Sequence, residues 1–297
     1  MTSVGSKHAT ITGLIRLIAV SFIGGTWLSG QATPEAPKTI IFVAGPKDHG
    51  APGRHEYRKD LNVMKYCIDH ASNISGVATR IYEGRVPAIA SLRNPAAIVL
   101  ESSGDRTPEE THALFPPNDT TDQKTYDPWT TQRLIQFDDL MKKGTGLAIF
   151  HYTTHVVNET AQKYFLDWVG GYYKTGYSKV VMDTWTTALA SPSHPVLRGV
   201  APLTYTEEIF TNEVLPADAR RIMLVTGKSK GGVDSPIAWV VQREGGGRGF
   251  VMAGQDTHKN LAEESNRRLL VNGILWAAHV EVPKEGVSCE IPDDVMK

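Results

Sequence analysis

The apolar stretch Thr39-Ile-Ile-Phe-Val-Ala44 shows no alternation; it is continuous and β-branched, the pattern of a strand buried on both faces of a parallel sheet. After a loop at 45–54 the period changes. Leu61, Met64, Lys65 and Ile68 fall at helical spacing within 56–70, and 76–82 returns to a short strand, which together predict a βαβ unit. Two more apolar runs, 96–100 and Gly146-Leu-Ala-Ile-Phe-His151, predict strands separated by a helix over 130–143 that Gly144 stops. The stretch 109–129 is polar and broken by prolines, so it predicts a surface excursion. The second half predicts a helix over 161–169, strands near 179–185, 221–225, 237–242 and 249–254, and a closing helix at 263–278. Arg243-Glu-Gly-Gly-Gly-Arg248 predicts a hairpin turn between two of these strands. The order predicts one α/β domain with a mostly parallel central sheet and an antiparallel insertion.

Ahead of this pattern, Lys7 and Arg16 flank an apolar run at 17–28 followed by Gly30-Gln31-Ala32, a small-x-small cleavage pattern. Residues 1–32 therefore predict a secretory signal and an exported protein, periplasmic or secreted, cleaved near Ala32. The run is too short to span a bilayer, and no membrane span is expected in the mature chain. Cys67 and Cys289 are too few for a disulfide scaffold and lie in no metal spacing; they are expected to be a buried small residue and a tail thiol.

Composition narrows the function classes. With 31 Lys+Arg against 32 Asp+Glu and no basic run, the chain lacks the charge stripe a nucleic-acid binder uses to release counterions. Neither a Walker loop nor a G-x-G-x-x-G opening a helix is present, so no nucleotide cofactor is expected. The ten histidines are the unusual item, and ligands of open parallel sheets sit beyond the carboxyl ends of the strands. At those predicted ends fall Asp48, His49, Arg54, His55 and Glu56; Glu101, Ser103 and Asp105; His151, Tyr152 and His155; and Gln255, Asp256 and His258. Histidines beside carboxylates on one rim point to a metal site or an acid–base site. Each has a structural alternative: His151 as a core histidine ending a strand, Glu56 and Asp256 as helix caps, His151 and His155 as neighbours without helical geometry. No nucleophile elbow is present, since the residue after the fourth strand is His151 and Ser102-Ser103 lacks the G-x-S-x-G frame.

Several ordered blocks carry a family resemblance: Ala44-Gly-Pro-Lys-Asp-His-Gly50 with His55-Glu56-Tyr57, Gly144-Thr-Gly-Leu-Ala-Ile-Phe-His-Tyr152, Asp167-Trp-Val-Gly-Gly171, His194-Pro-Val-Leu-Arg-Gly199, Thr206-Glu-Glu-Ile-Phe210, and Gly246-Gly-Arg-Gly-Phe250 with Asn272-Gly-Ile-Leu-Trp-Ala-Ala278. The chain resembles the ThuA-like, trehalose-utilisation family over roughly 38–287. The resemblance implies a flavodoxin-like three-layer sandwich, class I glutamine amidotransferase-like, with the amidotransferase cysteine replaced by His151; the domain is expected over 38–282, with 283–297 as a tail. It implies carbohydrate metabolism and a lyase, hydrolase or isomerase step on a keto-sugar or glycoside. Where the family carries Gly-His-x-His after the last strand, this chain has Gly254-Gln-Asp-Thr-His258, so Asp256 stands in for one imidazole. On this reading His151 or Glu208 is the catalytic base, and Tyr152, Glu101, Asp105 and Arg54 bind substrate. His49, His55, Asp256 and His258 hold a divalent ion, Zn, Mn, Co or Mg. The alternative is a non-catalytic carbohydrate-binding or scaffold protein, for which Tyr152, Trp168, Tyr172, Tyr173 and Trp185 offer stacking faces.

Overall fold

The computed structural model describes residues 36–116 and 125–297. The predicted signal at 1–32 lies outside the described residues. Residues 36–297 form one unit.

Its first half alternates strand and helix as the apolar pattern requires. Strands β1 (Lys38–Ala44), β2 (Val77–Glu83), β3 (Ala97–Glu101), β4 (Gly146–Phe150) and β9 (Arg248–Met252) pair in parallel in the order β2-β1-β3-β4-β9. Every residue of β3 and β4 is buried, which is why those strands read as unbroken apolar runs. Helices α1 (Tyr57–His70), α2 (Pro128–Lys142), α3 (Glu159–Val169) and α4 (Glu264–Ala277) cover the sheet. Asp127 caps α2, its carboxylate accepting from the N–H groups of Trp129 and Thr130, and Gly170 ends α3 in the left-handed conformation.

Between α3 and β9 the chain adds β5 (Lys179–Leu189), β6 (Thr204–Thr211), β7 (Arg221–Ser229) and β8 (Asp234–Gln242), all antiparallel, giving a nine-stranded mixed sheet β2-β1-β3-β4-β9-β8-β7-β5-β6. The sheet is thus less parallel than expected, because the antiparallel insertion contributes four of its nine strands. The predicted hairpin joins β8 to β9. β6 had no counterpart in the apolar pattern, and it matters most for the site. Its Phe210 N–H donates to Ala253 O (3.1 Å), laying β6 against the segment that leaves β9.

Two expectations are corrected. Cys67 of α1 and Cys289 are joined in a disulfide across 222 residues of sequence, so neither is a lone buried residue or a free thiol. Trp168 and Trp185 are fully buried, with their indoles bonded to Asp138 Oδ1 (2.9 Å) and Glu207 O (3.1 Å); they are core, not stacking platforms. Among the described residues no helix is long and apolar enough to cross a membrane.

Candidate functional site

Because β1, β3, β4 and β9 are neighbours, the loops leaving their carboxyl ends meet. The 45–56 loop is zipped onto the 253–258 loop by main-chain bonds: His55 N to Asp256 O and His258 N to Gly53 O, both 3.0 Å. Gly50 lies at φ +84°, and a Cβ there would come within 2.6 Å of the His55 ring, so a side chain at this position would displace the imidazole. Three of the non-glycine residues with positive φ, His55 (52°), His151 (44°) and Gln255 (91°), stand in these loops. Such conformations are strained for side-chain-bearing residues and persist where surrounding contacts over-determine them. His151 is the first residue past β4, at the strand-to-helix elbow.

Side chains from four elements converge here. His55 (β1–α1 loop), His151 (elbow), Glu208 (β6) and Asp256 (after β9) each offer a ligand atom, all within 4.8 Å of one another. His55 Nε2 lies 3.1 Å from Asp256 Oδ1, and His151 Nε2 lies 3.6 Å from Glu208 Oε1 and 3.8 Å from Asp256 Oδ1. None of these approaches is a formed hydrogen bond, and His151 Nε2 and Asp256 Oδ1 are buried without a partner among the described residues. Arg54 grips the same two carboxylates from outside, Nε on Asp256 Oδ2 and an Nη on Glu208 Oε2, which leaves the inner oxygens facing the imidazoles.

The remaining ring nitrogens are held. His151 Nδ1 faces Ala253 O at 3.4 Å. His55 Nδ1 lies 3.2 Å from the Tyr57 hydroxyl, which lies 3.1 Å from Ser103 Oγ, which in turn lies 2.5 Å from Asp48 Oδ1. Burial acts to raise the Asp48 carboxyl, but hydrogen bonds from His49, Ser103 and the Thr111 N–H outweigh it and hold it below the usual aspartate value. Asp48 is therefore an anion that only accepts. Ser103 gives its one hydrogen to Asp48, and the Tyr57 hydroxyl bridges Ser103 Oγ and His55 Nδ1. Burial, with the His151, His49, Arg54 and Lys47 charges adding to it, pushes His55 down to about 2, so its ring is neutral where its Nε2 faces Asp256 Oδ1. Burial alone would lower His151 as well. The Glu208 contact and the Asp256 charge outweigh burial and lift it, so a cation is favoured at this point.

Beside this cluster opens a cavity of about 280 Å³, lined by His49, Arg54, His55, Tyr152 and Glu208 together with Arg106, Tyr173 and Phe210. That volume is close to the lower end of the roughly 300–1,000 Å³ of small-molecule pockets.

The expected residues divide clearly. His55 and Asp256 of the expected ligand set meet, but their companions are the two expected bases, His151 and Glu208, rather than His49 and His258. His49 Nδ1 is turned to Asp48 Oδ1 (2.7 Å). His258 faces away: its Nδ1 bonds Asp60 of α1 and its Nε2 lies 2.9 Å from Met296 O, tying the tail down. Glu101 and Asp105 do not line the cavity. Both are fully buried; burial and the nearby Asp60 hold Glu101 well above the usual carboxylate range, and burial pushes Asp105 up to about 7 while its Oδ1 accepts the Val157 N–H. Arg54 and Tyr152 do reach the cavity, Tyr152 with its hydroxyl donated to Glu110 Oε1 (2.7 Å). His155 lines it too, but its Nε2 pairs with Thr175 Oγ1 (2.8 Å), so it forms no chelate with His151. Sequence reasoning missed Arg106, just past β3, and Phe210, which comes to the cavity with the unpredicted β6, whereas Tyr173 was among the expected stacking faces. It also missed Glu207, whose carboxylate accepts from Thr257 N (3.1 Å) and Asn260 Nδ2 (2.9 Å) and so pins β6 in place. Strand alternation then turns the next residue, Glu208, into the cavity.

Among solved structures the chain is similar to a ThuA-like protein from Bacteroides uniformis (14% identity, 84% of this chain and 94% of that one, TM-score 0.53). It is likewise similar to one from Parabacteroides merdae (16% identity, 88% and 94%, TM-score 0.53). At these identities the likeness speaks for the fold. No curated protein of similar sequence was found. The model of the ThuA family, described as trehalose utilisation, matches residues 104–277, more than half of the chain, and the chain therefore belongs to the ThuA family.

Proposed function

We propose that this protein is an exported enzyme of carbohydrate metabolism. On this reading it holds one divalent ion on His55, His151, Glu208 and Asp256 and acts on a keto-sugar or glycoside as a lyase, hydrolase or isomerase. The observation that carries the reading is the convergence of one ligand atom each from His55, His151, Glu208 and Asp256 within 4.8 Å, with His151 Nε2 and Asp256 Oδ1 buried and without a hydrogen-bond partner among the described residues. Buried polar atoms without partners cost roughly 1–3 kcal/mol each, and a divalent ion taking the place of the His151 proton among them removes that cost. Two imidazoles and two carboxylates suit Zn, Mn or Co better than Mg, which prefers all-oxygen sites. When bound, such an ion polarises a ketone oxygen and stabilises the enolate formed when the neighbouring C–H is broken. Arg54 orients the two carboxylates, and Tyr152 and Phe210 give the sugar ring an apolar wall.

Family membership supplies the carbohydrate direction. The parallel order β2-β1-β3-β4-β9 supports a flavodoxin-like core with β5–β8 inserted before its last strand. The Cys67–Cys289 disulfide supports export, since such bonds persist in oxidising compartments. The test is turnover of a keto-glycoside by purified protein before chelation, after chelation, and after reloading with Zn, Mn, Co or Mg. Loss on chelation and recovery with at least one ion is expected. Turnover unchanged by chelation would leave a metal-free acid–base enzyme with a protonated His151, and no turnover in any state would favour a binding protein.

A further inference from the structure

The site holds a second histidine dyad that the ion cluster does not use. Asp48 Oδ2 accepts the Thr111 N–H (2.8 Å), and its Oδ1 accepts from Ser103 Oγ (2.5 Å) and His49 Nδ1 (2.7 Å). Since this carboxylate has no hydrogen to give, His49 Nδ1 must carry one, and in the neutral ring the lone pair lies on Nε2. That nitrogen makes no hydrogen bond among the described residues, and the side chain is 34% exposed where it lines the cavity. The His49 ring centroid is 4.1 Å from that of His55 and 5.1 Å from that of Tyr152, so this ring stands beside the ion cluster in the lining of the cavity. A ring fixed by a carboxylate on one nitrogen and open on the other is the arrangement of a general base.

We propose that His49, oriented by Asp48, takes the proton from the carbon beside the sugar's ketone and returns it to the departing oxygen. The inference rests on the keto-sugar reading above and assigns the proton-transfer step to a residue outside the ion cluster. The C–H bond breaks, its electron pair forms the carbon–carbon double bond, and the ketone π pair moves onto oxygen, giving the enolate. The proton goes to His49 Nε2, and the Asp48 carboxylate stabilises the imidazolium. In the lyase form, the enolate electrons then expel the oxygen substituent from the adjacent carbon, and the imidazolium protonates it. The products are an unsaturated ketone and an alcohol, His49 is neutral again, and no oxidant or reductant is consumed. Asp48 is a positioning residue, and Ser103 and Tyr57 connect it to His55.

The experiment measures hydrogen–deuterium exchange at the ketone-adjacent carbon of a methyl 3-keto-glucoside in D2O, by mass spectrometry, together with bound Zn or Mn per chain. The full chain and its variants His49→Ala, His49→Gln and Asp48→Asn are compared, with circular dichroism to check folding. Both His49 variants should lose fiftyfold or more of the exchange rate with the ion content unchanged, in the 10²–10⁴ range typical of a general base. Added imidazole should restore His49→Ala at least tenfold, which a purely structural role would not allow. Asp48→Asn should lower kcat at least tenfold with KM within threefold. A loss of less than tenfold in both His49 variants overturns the assignment, as does loss of the bound ion in them, which would make His49 a ligand. A wild-type protein that neither binds an ion nor exchanges the proton overturns the keto-sugar reading and this inference with it.

Discussion

Residues that look alike in the sequence divide by what their second polar atom touches. His55 and His151 each spend Nδ1 on a neighbour and turn Nε2 inward, while His258 spends both nitrogens, on Asp60 and Met296 O. The same division separates the carboxylates: Glu208 and Asp256 face the cavity, whereas Asp105 is a buried cap on Val157 N–H. Asp105 yields a pH prediction. Its folded value, about 7, lies above its ordinary 3.8, so the folded state holds the proton more tightly. Its contribution to stability is present in full below about pH 4 and is lost as the pH rises through about 7. Asp105→Asn keeps the acceptor and removes the charge. It should be more stable than the parent at pH 8 by about 1–3 kcal/mol, with the gap closing near pH 4. Urea melts at the two pH values check this, and a gap that does not grow with pH contradicts it. His55, His151 and Asp256 were legible as polar groups at strand ends and Glu208 through the family resemblance, but their grouping was not. Whether His49 or His151 joins His55 depends on Asp48 and Glu208, one adjacent in sequence and the other 57 or more positions beyond either histidine.

At the scale of elements, the strands buried on both faces and the helices were readable because a continuous apolar run and a 3.6-residue period each match one kind of element. β6 was not. Its alternation of inward residues, Tyr205, Glu207 and Ile209, is interrupted by a carboxyl, and burial pushes that carboxyl up to about 7. An acid in the apolar register hides a strand from a hydrophobicity reading, although here that acid is what fastens the strand to the site. A close helix–sheet contact also tests the packing of the core. α4 approaches β9 where Gly273 faces the fully buried Phe250 ring, and a Cβ at 273 would come within 2.2 Å of it. Gly273→Ala gains about 1 kcal/mol of helix propensity but forces α4 off the sheet, an overpacking cost of about 1–3 kcal/mol. A net destabilisation should appear as a lower Tm, and an unchanged or higher Tm would mean that Phe250 can move aside.

Across the whole molecule, the tail is part of the fold. Cys289 is bonded to α1, its carbonyl accepts from Arg267 (3.2 Å), and Met296 O meets His258 behind the rim. Reduction, or Cys67→Ser with Cys289→Ser, should cost about 2–4 kcal/mol and speed amide exchange in the tail and α1. An unaltered Tm would show that side-chain contacts alone secure the tail. The pairing was invisible in the sequence because two cysteines 222 positions apart carry no spacing signal, whereas family membership was legible from blocks spread along the chain. The central claim is that four side chains from distant parts of the chain form one ion site. Its most direct test is the divalent ion content of purified protein after loading with Zn or Mn and exhaustive dialysis, compared with His151→Ala, Asp256→Ala and His258→Ala. The account predicts about one ion per chain in the parent and in His258→Ala, and loss of the ion in the other two. An ion-free parent, or an ion lost only with His258, would contradict it.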